Sequence, residues 1–247
     1  MIELENTEVL GWEAAIRGMR NPMNSWEKSD SEFLSYSSPG GYDQVHDING
    51  MVHDEVCAPV YRIGAADKKL MMSLAKAGSV DAKYRRMIVV TVDITAPLYW
   101  WKEFDTYKVG TVANSCSTMH KIQAKEFTLE DFSYEHLGVD IPAELNGGEA
   151  VHQNLWECIL PKTIEALNRA RIEYLRTSDS ALKKQYWWQM IQLLPSSYNQ
   201  RRTVMLNYEV LAGIYPKRKD HKLDEWHEFC DWIKCLPYSE IITLEEK

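Results

Sequence analysis

Apolar residues recur at helical spacing through the last quarter of the chain. From Lys183 to Leu194 they fall at positions 187, 190, 191 and 194, the i, i+3, i+4, i+7 stripe of a helix with one buried face. Pro195, Ser196 and Ser197 close that segment, because proline cannot donate to the helical ladder and disfavours helix in the residue before it. A second helical stripe is expected over Val204, Tyr208, Leu211 and Tyr215, with Pro216 ending or kinking it. A third runs from Leu223 to Ile233 and sets Trp226, Phe229, Cys230 and Ile233 on one face. Asp224 and Glu225 near its start suit the positive end of the helix dipole.

Earlier segments carry weaker patterns. Glu8–Met19 is weakly helical, and Asn21–Tyr42, rich in Ser, Asn, Pro and Gly, is expected to be loop. Ile48–Val60 is ambiguous. Asp67–Ala77 predicts a short helix capped by Asp67, striped by Leu70, Met71 and Leu74 and ended by Gly78. Arg86–Thr95 is the best strand candidate, β-branched and bounded by Pro97. Pro97–Lys108 reads as helical or mixed and holds Trp100, Trp101, Phe104 and Tyr107. Such aromatics serve a buried core more often than a flat-ligand box. Gly110–Met119 reads as a loop or short extended segment, Thr128 as a helix cap, Asn146–Gly148 as a turn and Trp156–Leu175 as a long helix. The balance is a helix-rich α+β single domain with a small sheet. Its expected parts are an N-terminal arm and loop region over residues 1–60 and a main domain over residues 61–247.

Charge and cysteine content narrow the function. The formal net charge is −8, which argues against general nucleic-acid binding, since that needs many cations on phosphates. It still allows a local cationic pocket. Five cysteines, an odd number without a C-x-x-C pair, point to reduced thiols and to no zinc site. Without a long uncharged apolar run or a basic-then-apolar leader, no membrane association is expected and the cytoplasm is the expected location.

The most basic neighbourhood contains Arg201, Arg202, Lys217, Arg218, Lys219 and Lys222. Within it Asn207 and Arg218 are eleven residues apart. If the helix runs through Pro216 they share a face, about 16 Å apart, a span suited to a long ligand such as a dinucleotide. The alternative is a solvated helix pair with a salt-bridging surface. Cys116, Ser117 and His120 lie close together, but no third orienting group accompanies them as nucleophilic catalysis requires.

Leu194, Pro195, Thr203, Val204, Asn207, Arg218, His221 and Trp226, in this order and spacing, resemble the C-terminal half of the flavin-dependent thymidylate synthases. The resemblance covers about sixty residues well and the region before them only loosely. It implies FAD as cofactor, NADPH and methylene-tetrahydrofolate as co-substrates, dUMP or a related pyrimidine nucleotide as ligand, and a homotetramer with sites between subunits. It also implies roles. Arg218 would be catalytic and substrate-binding, Lys108, Ser117 and Arg202 would bind substrate, and Asn114, Asn207 and His221 would meet the cofactor, with no metal.

The chain departs from the family pattern in several places. Thr106, Tyr107 and Lys108 stand where the Arg-His-Arg triplet is expected, and Met119 replaces an Arg. The stretch from Ala77 to Arg86 lacks both expected His residues, although Arg85 and Arg86 lie there. Glu209 and Ile191 occupy two further Arg positions. So many lost cations leave an alternative open: a non-catalytic nucleotide-binding protein, or a phage-type inhibitor of a host protein, on the same scaffold.

Overall fold

The computed structural model describes residues 2–33, 44–46, 52–54, 61–138, 140–143, 151–154 and 159–245. The ambiguous Ile48–Val60 stretch lies mostly outside them, as do the Asn146–Gly148 turn, the start of the Trp156 segment, and the later part of the Asn21–Tyr42 loop. The chain divides into two compact units built from interleaved segments. One comprises Met1–Glu8, Thr91–Leu206 and Lys217–Trp232, and the other Val9–Val90, Asn207–Pro216 and Ile233–Lys247. The fold is helix-rich with a small sheet, as the composition of segments predicts.

A four-stranded sheet, most of whose residues belong to the first unit, runs in the order Glu3–Leu10, Val89–Pro97, Asn199–Asn207, Val112–Ser115. The expected strand is present at Val89–Pro97, and its alternate residues Val90, Val92, Ile94 and Ala96 are buried. The neighbouring Asn199–Asn207 strand corrects the expectation that Val204 begins a helix. Gln200, Val204 and Leu206 are buried at even spacing, the period-2 signature of a strand, and the helix starts only at Tyr208. A strand that passes into a helix without a Gly or Pro between them hides its own period. The weak helical pattern over Glu8–Met19 is also a strand end followed by the Trp12–Arg20 helix, here with a glycine between them. Gly11 joins the two at φ 94°. A Cβ there would lie 2.0 Å from the Met87 carbonyl oxygen, so glycine is required.

Two apolar clusters fill the first unit. Trp100, Trp101, Phe104, Trp226 and Phe229 form one, with the Trp100 and Phe104 rings stacked at 5.0 Å and Trp226 4.8 Å from Trp100. Trp100, Trp101 and Phe104 of the aromatic stretch are therefore core, supplied by the Leu98–Phe104 helix, while Tyr99 and Tyr107 are half-buried. The other cluster joins Phe127 and Phe132 to Leu167, Ala170 and Met190 of the helices Leu160–Arg176 and Ser180–Leu193. Thr128 caps a short turn by a reciprocal bond pair with Asp131.

The sheet carries a polar cluster on its exposed surface. Asp93 receives Thr203 Oγ1 at 2.6 Å, Arg201 Nη2 at 2.8 Å and Asn6 Nδ2 at 3.0 Å. The Thr203 hydrogen bond, then those from Arg201 and Asn6, hold the Asp93 carboxyl well below the usual carboxylate range. A depressed folded-state pKa contributes stability above the unfolded value, near 4, and that contribution is lost as pH falls through the folded-state value. Urea titrations from pH 6 to acid should show wild type losing stability below about pH 4 more steeply than Asp93→Asn, which has no proton to take up. Parallel profiles would remove this role.

The second unit packs Trp12 against Tyr61 at 5.0 Å and edge-on to Tyr208 at 5.4 Å. Burial, then the neighbouring Tyr238, pushes the Tyr61 phenol up to about 12. The predicted short helix is present at Ala65–Ala77 and ends at Gly78 with φ 109°. Its cap differs from expectation. Asp30 accepts the Ala66 and Asp67 N–H groups at 2.8 and 3.0 Å, so a carboxylate 36 residues upstream satisfies the helix start. Asp67 is instead buried in the first turn and receives Arg20 Nε at 2.6 Å, Ser29 Oγ at 2.6 Å and Ser31 Oγ at 2.7 Å.

Candidate functional site

Four of the seven candidate residues converge on one short segment of the first unit, residues 103–108, where the Leu98–Phe104 helix ends in a turn. Pro216 does not stop the Tyr208–Arg218 helix, so Arg218 is its last residue. The Arg218 Nη1 donates to Glu103 Oε2 and its Nε donates to Tyr107 Oη at 2.8 Å, with the guanidinium 4.5 Å from the Trp226 ring centroid. His221 Nε2 lies 3.2 Å from the same Glu103 oxygen. Arg202 Nη1 donates to Asp105 at 2.7 Å and its guanidinium stacks 4.1 Å above Trp101. The Asn199–Asn207 strand aims Arg202 this way, while Gln200 Oε1 accepts its Nε at 3.0 Å. Lys108 lines a cavity of about 260 Å³ with Phe104, Asp105, Tyr107, Thr111 and Ala113. Among the described residues, the buried Thr111 Oγ1 has no hydrogen-bond partner.

Ser117 belongs to a different cavity, a cleft of about 560 Å³ in the same unit. Cys116, Thr118, Lys121, Lys125, Tyr198 and Arg201 share its lining. Ser117 Oγ accepts the His120 N–H at 3.1 Å and so starts the Thr118–Lys121 helix. The backbone beneath is clamped on both sides: Cys116 N–H donates to Arg201 O at 3.0 Å, and Gln200 Nε2 to Cys116 O at 2.8 Å. Lys125 pairs with Asp131, and Arg201 with Glu5 and Asp93. Lys121, in the same lining, is exposed. Burial, then Asp131 and Cys116, pushes the Tyr198 phenol up. Asn114 is exposed on the Val112–Ser115 strand, opposite Thr203 in register.

Asn207 lies in the second unit, where its Oδ1 accepts the Val210 N–H at 3.1 Å and opens the helix that follows. The departures at Glu209 and Arg85 are linked there. Arg85 Nε donates to Glu209 Oε2 at 2.8 Å, and Arg85 Nη1 to the Ile241 carbonyl at 3.1 Å, so the pair is internally satisfied. Sequence reasoning missed Glu103 and Asp105, the carboxylates that answer the two arginines. The one available signal was their position just before the degenerate triplet. Among the described residues no group of His, Cys, Asp or Glu is arranged to hold a metal ion, and no helix is long and apolar enough to cross a membrane.

Compared with protein families and with curated proteins, the sequence matches none. Solved structures do match. Thymidylate synthase X (ThyX) from Helicobacter pylori, crystallised with FAD and dUMP, superposes with a TM-score of 0.59 at 13% identity, covering 99% of this chain and 98% of that one. The UMP/dUMP methylase PolB from Streptomyces cacaoi, bound with 5-Br dUMP, gives a TM-score of 0.53 at 14% identity over 99% of this chain and 94% of its own. The chain therefore has the fold of the flavin-dependent thymidylate synthases along nearly its whole length.

Proposed function

We propose that the chain is a divergent flavin-dependent thymidylate synthase homologue that methylates dUMP or a related pyrimidine nucleotide. Methylene-tetrahydrofolate would supply the carbon and NADPH the reducing equivalents. The observation that carries this reading is the end-to-end likeness to two pyrimidine-nucleotide enzymes, one of them crystallised with FAD. The 560 Å³ cleft supports it, because its volume suits a mononucleotide and Ser117 and Lys121 offer the donors a phosphate needs. Arg218, with its fork of donors, suits the carbonyls of a pyrimidine ring and the charge that builds on them.

The residues at the 103–108 turn fit a nucleotide. Lys108 supplies a cation and Thr111 an uncommitted buried hydroxyl in one cavity. Lys108, Ser117 and Arg202 would bind the substrate, and Asn114, Asn207 and His221 would meet the cofactor. Bound FAD would carry hydride from the nicotinamide toward the nucleotide. The chain's own part is to bind, orient and exclude water. Assembly as a homotetramer in the cytoplasm belongs to the same proposal.

Purified protein is expected to be yellow, or to turn yellow on titration with FAD, and to oxidise NADPH only when dUMP and methylene-tetrahydrofolate are present. Colourless protein that takes up no FAD overturns the enzyme reading. A second reading is favoured by one observation: Arg202, Arg218 and Arg85 are each already paired with a carboxylate of their own chain. On that reading the scaffold binds a nucleotide, or a host protein in the manner of a phage inhibitor, without redox chemistry. Thermal-shift measurements separate the two, since a nucleotide would then stabilise the protein and FAD would not.

A further inference from the structure

No motif singles out Glu103, yet the machinery around Arg218 is built on it. Its Oε2 accepts from Arg218 Nη1 and lies 3.2 Å from His221 Nε2. His221 is itself fixed at its other ring nitrogen, where Nδ1 accepts the Leu223 N–H at 3.2 Å, so the ring proton facing Glu103 sits on Nε2. Its main-chain N–H donates to the Arg218 carbonyl at 3.1 Å. Glu103 is thus held by two side chains. Arg218 is held by Glu103 on one edge, by Tyr107 on another and by the Trp226 ring on its face.

Stability alone does not account for this arrangement. The Glu103 side chain is 37% exposed, and ion pairs so close to solvent contribute little to stability. What the contacts deliver is orientation, because an unrestrained arginine loses rotamer entropy when a ligand fixes it, and one already held loses less. They also set charge. Paired with Glu103, the guanidinium keeps donors to offer but carries no net charge as a unit, which suits a neutral carbonyl acceptor better than a phosphate.

We propose that Glu103 is a positioning residue for Arg218, steadied by His221, and that it presents the guanidinium to the carbonyl edge of the pyrimidine. This rests on the reading of Arg218 as a nucleotide contact. The test is a double-mutant cycle on dUMP affinity by titration calorimetry, with thermal unfolding confirming that each variant folds. Glu103→Ala is expected to weaken binding about 10-fold, equivalent to about 1.4 kcal/mol. Glu103→Gln, whose amide oxygen still accepts from Arg218, should stay within about 3-fold of wild type. In an Arg218→Ala background, Glu103→Ala should weaken binding no further and recover part of the loss, because the carboxylate then has no arginine to orient and only repels the anionic ligand. Equal loss in both backgrounds, or tighter binding by Glu103→Ala alone, overturns the proposal. A wild type that does not bind dUMP refutes the functional reading instead, and positioning is then read without ligand. The Arg218 Nη–Hη signals in ¹⁵N NMR should be resolved in wild type and averaged by rotation in Glu103→Ala, and unchanged signals overturn positioning.

Discussion

Asp67→Ala is expected to destabilise the protein by about 3–5 kcal/mol, the range for breaking a buried ion pair by removing one partner. The Arg20 side chain is only 5% exposed, so truncating Asp67 leaves a guanidinium with its charge uncompensated in the interior. The hydroxyls of Ser29 and Ser31 lose their acceptor at the same time. Burial pushes the Asp67 carboxyl up, but the bonds from Ser29, Ser31 and Arg20 outweigh it and hold the group below the usual carboxylate range. Asp67→Asn keeps the shape and one acceptor but loses the charge, so an intermediate loss is expected. Urea unfolding of the three proteins checks the order. A loss under about 1 kcal/mol for Asp67→Ala would mean that Arg20 finds water or a new acceptor.

Arg218→Ala is expected to weaken dUMP binding about 30-fold, from the roughly 1.5–3 kcal/mol typical of a hydrogen bond made by a charged group. Two effects add. The donors proposed for the pyrimidine disappear, and the Glu103 carboxylate is left unanswered beside an anionic ligand. Arg218→Lys should recover only part of the loss, because an ammonium lacks the planar fork that engages Glu103, Tyr107 and a ligand together. Calorimetric titration with dUMP measures both variants. Wild-type affinity in Arg218→Ala would take Arg218 out of the site and leave its bonds to Glu103 and Tyr107 as local structure.

Both predictions concern groups whose partners come from distant parts of the chain, and this marks the limit of sequence reading here. The sequence by itself determined the helices around Met190, Leu211 and Trp226, the strand at Val89–Pro97 and the likeness of its C-terminal segment to the flavin-dependent thymidylate synthases. Those features depend on residues within two or three turns of one another, so burial imprints a period that can be read locally. It also marked Arg202, Arg218, His221 and Lys108, which the fold gathers at one turn, and Ser117, which it sets in another cavity. Only the tertiary structure decided that 199–207 is a strand, because its neighbours in the sheet, at 89–97 and 112–115, make the extended form worthwhile. Only packing revealed that Asp30 caps a helix 36 residues away, and that Glu103 and Asp105 answer arginines 115 and 97 residues on. A charge is visible in a sequence, but the partner that neutralises it is chosen by the fold.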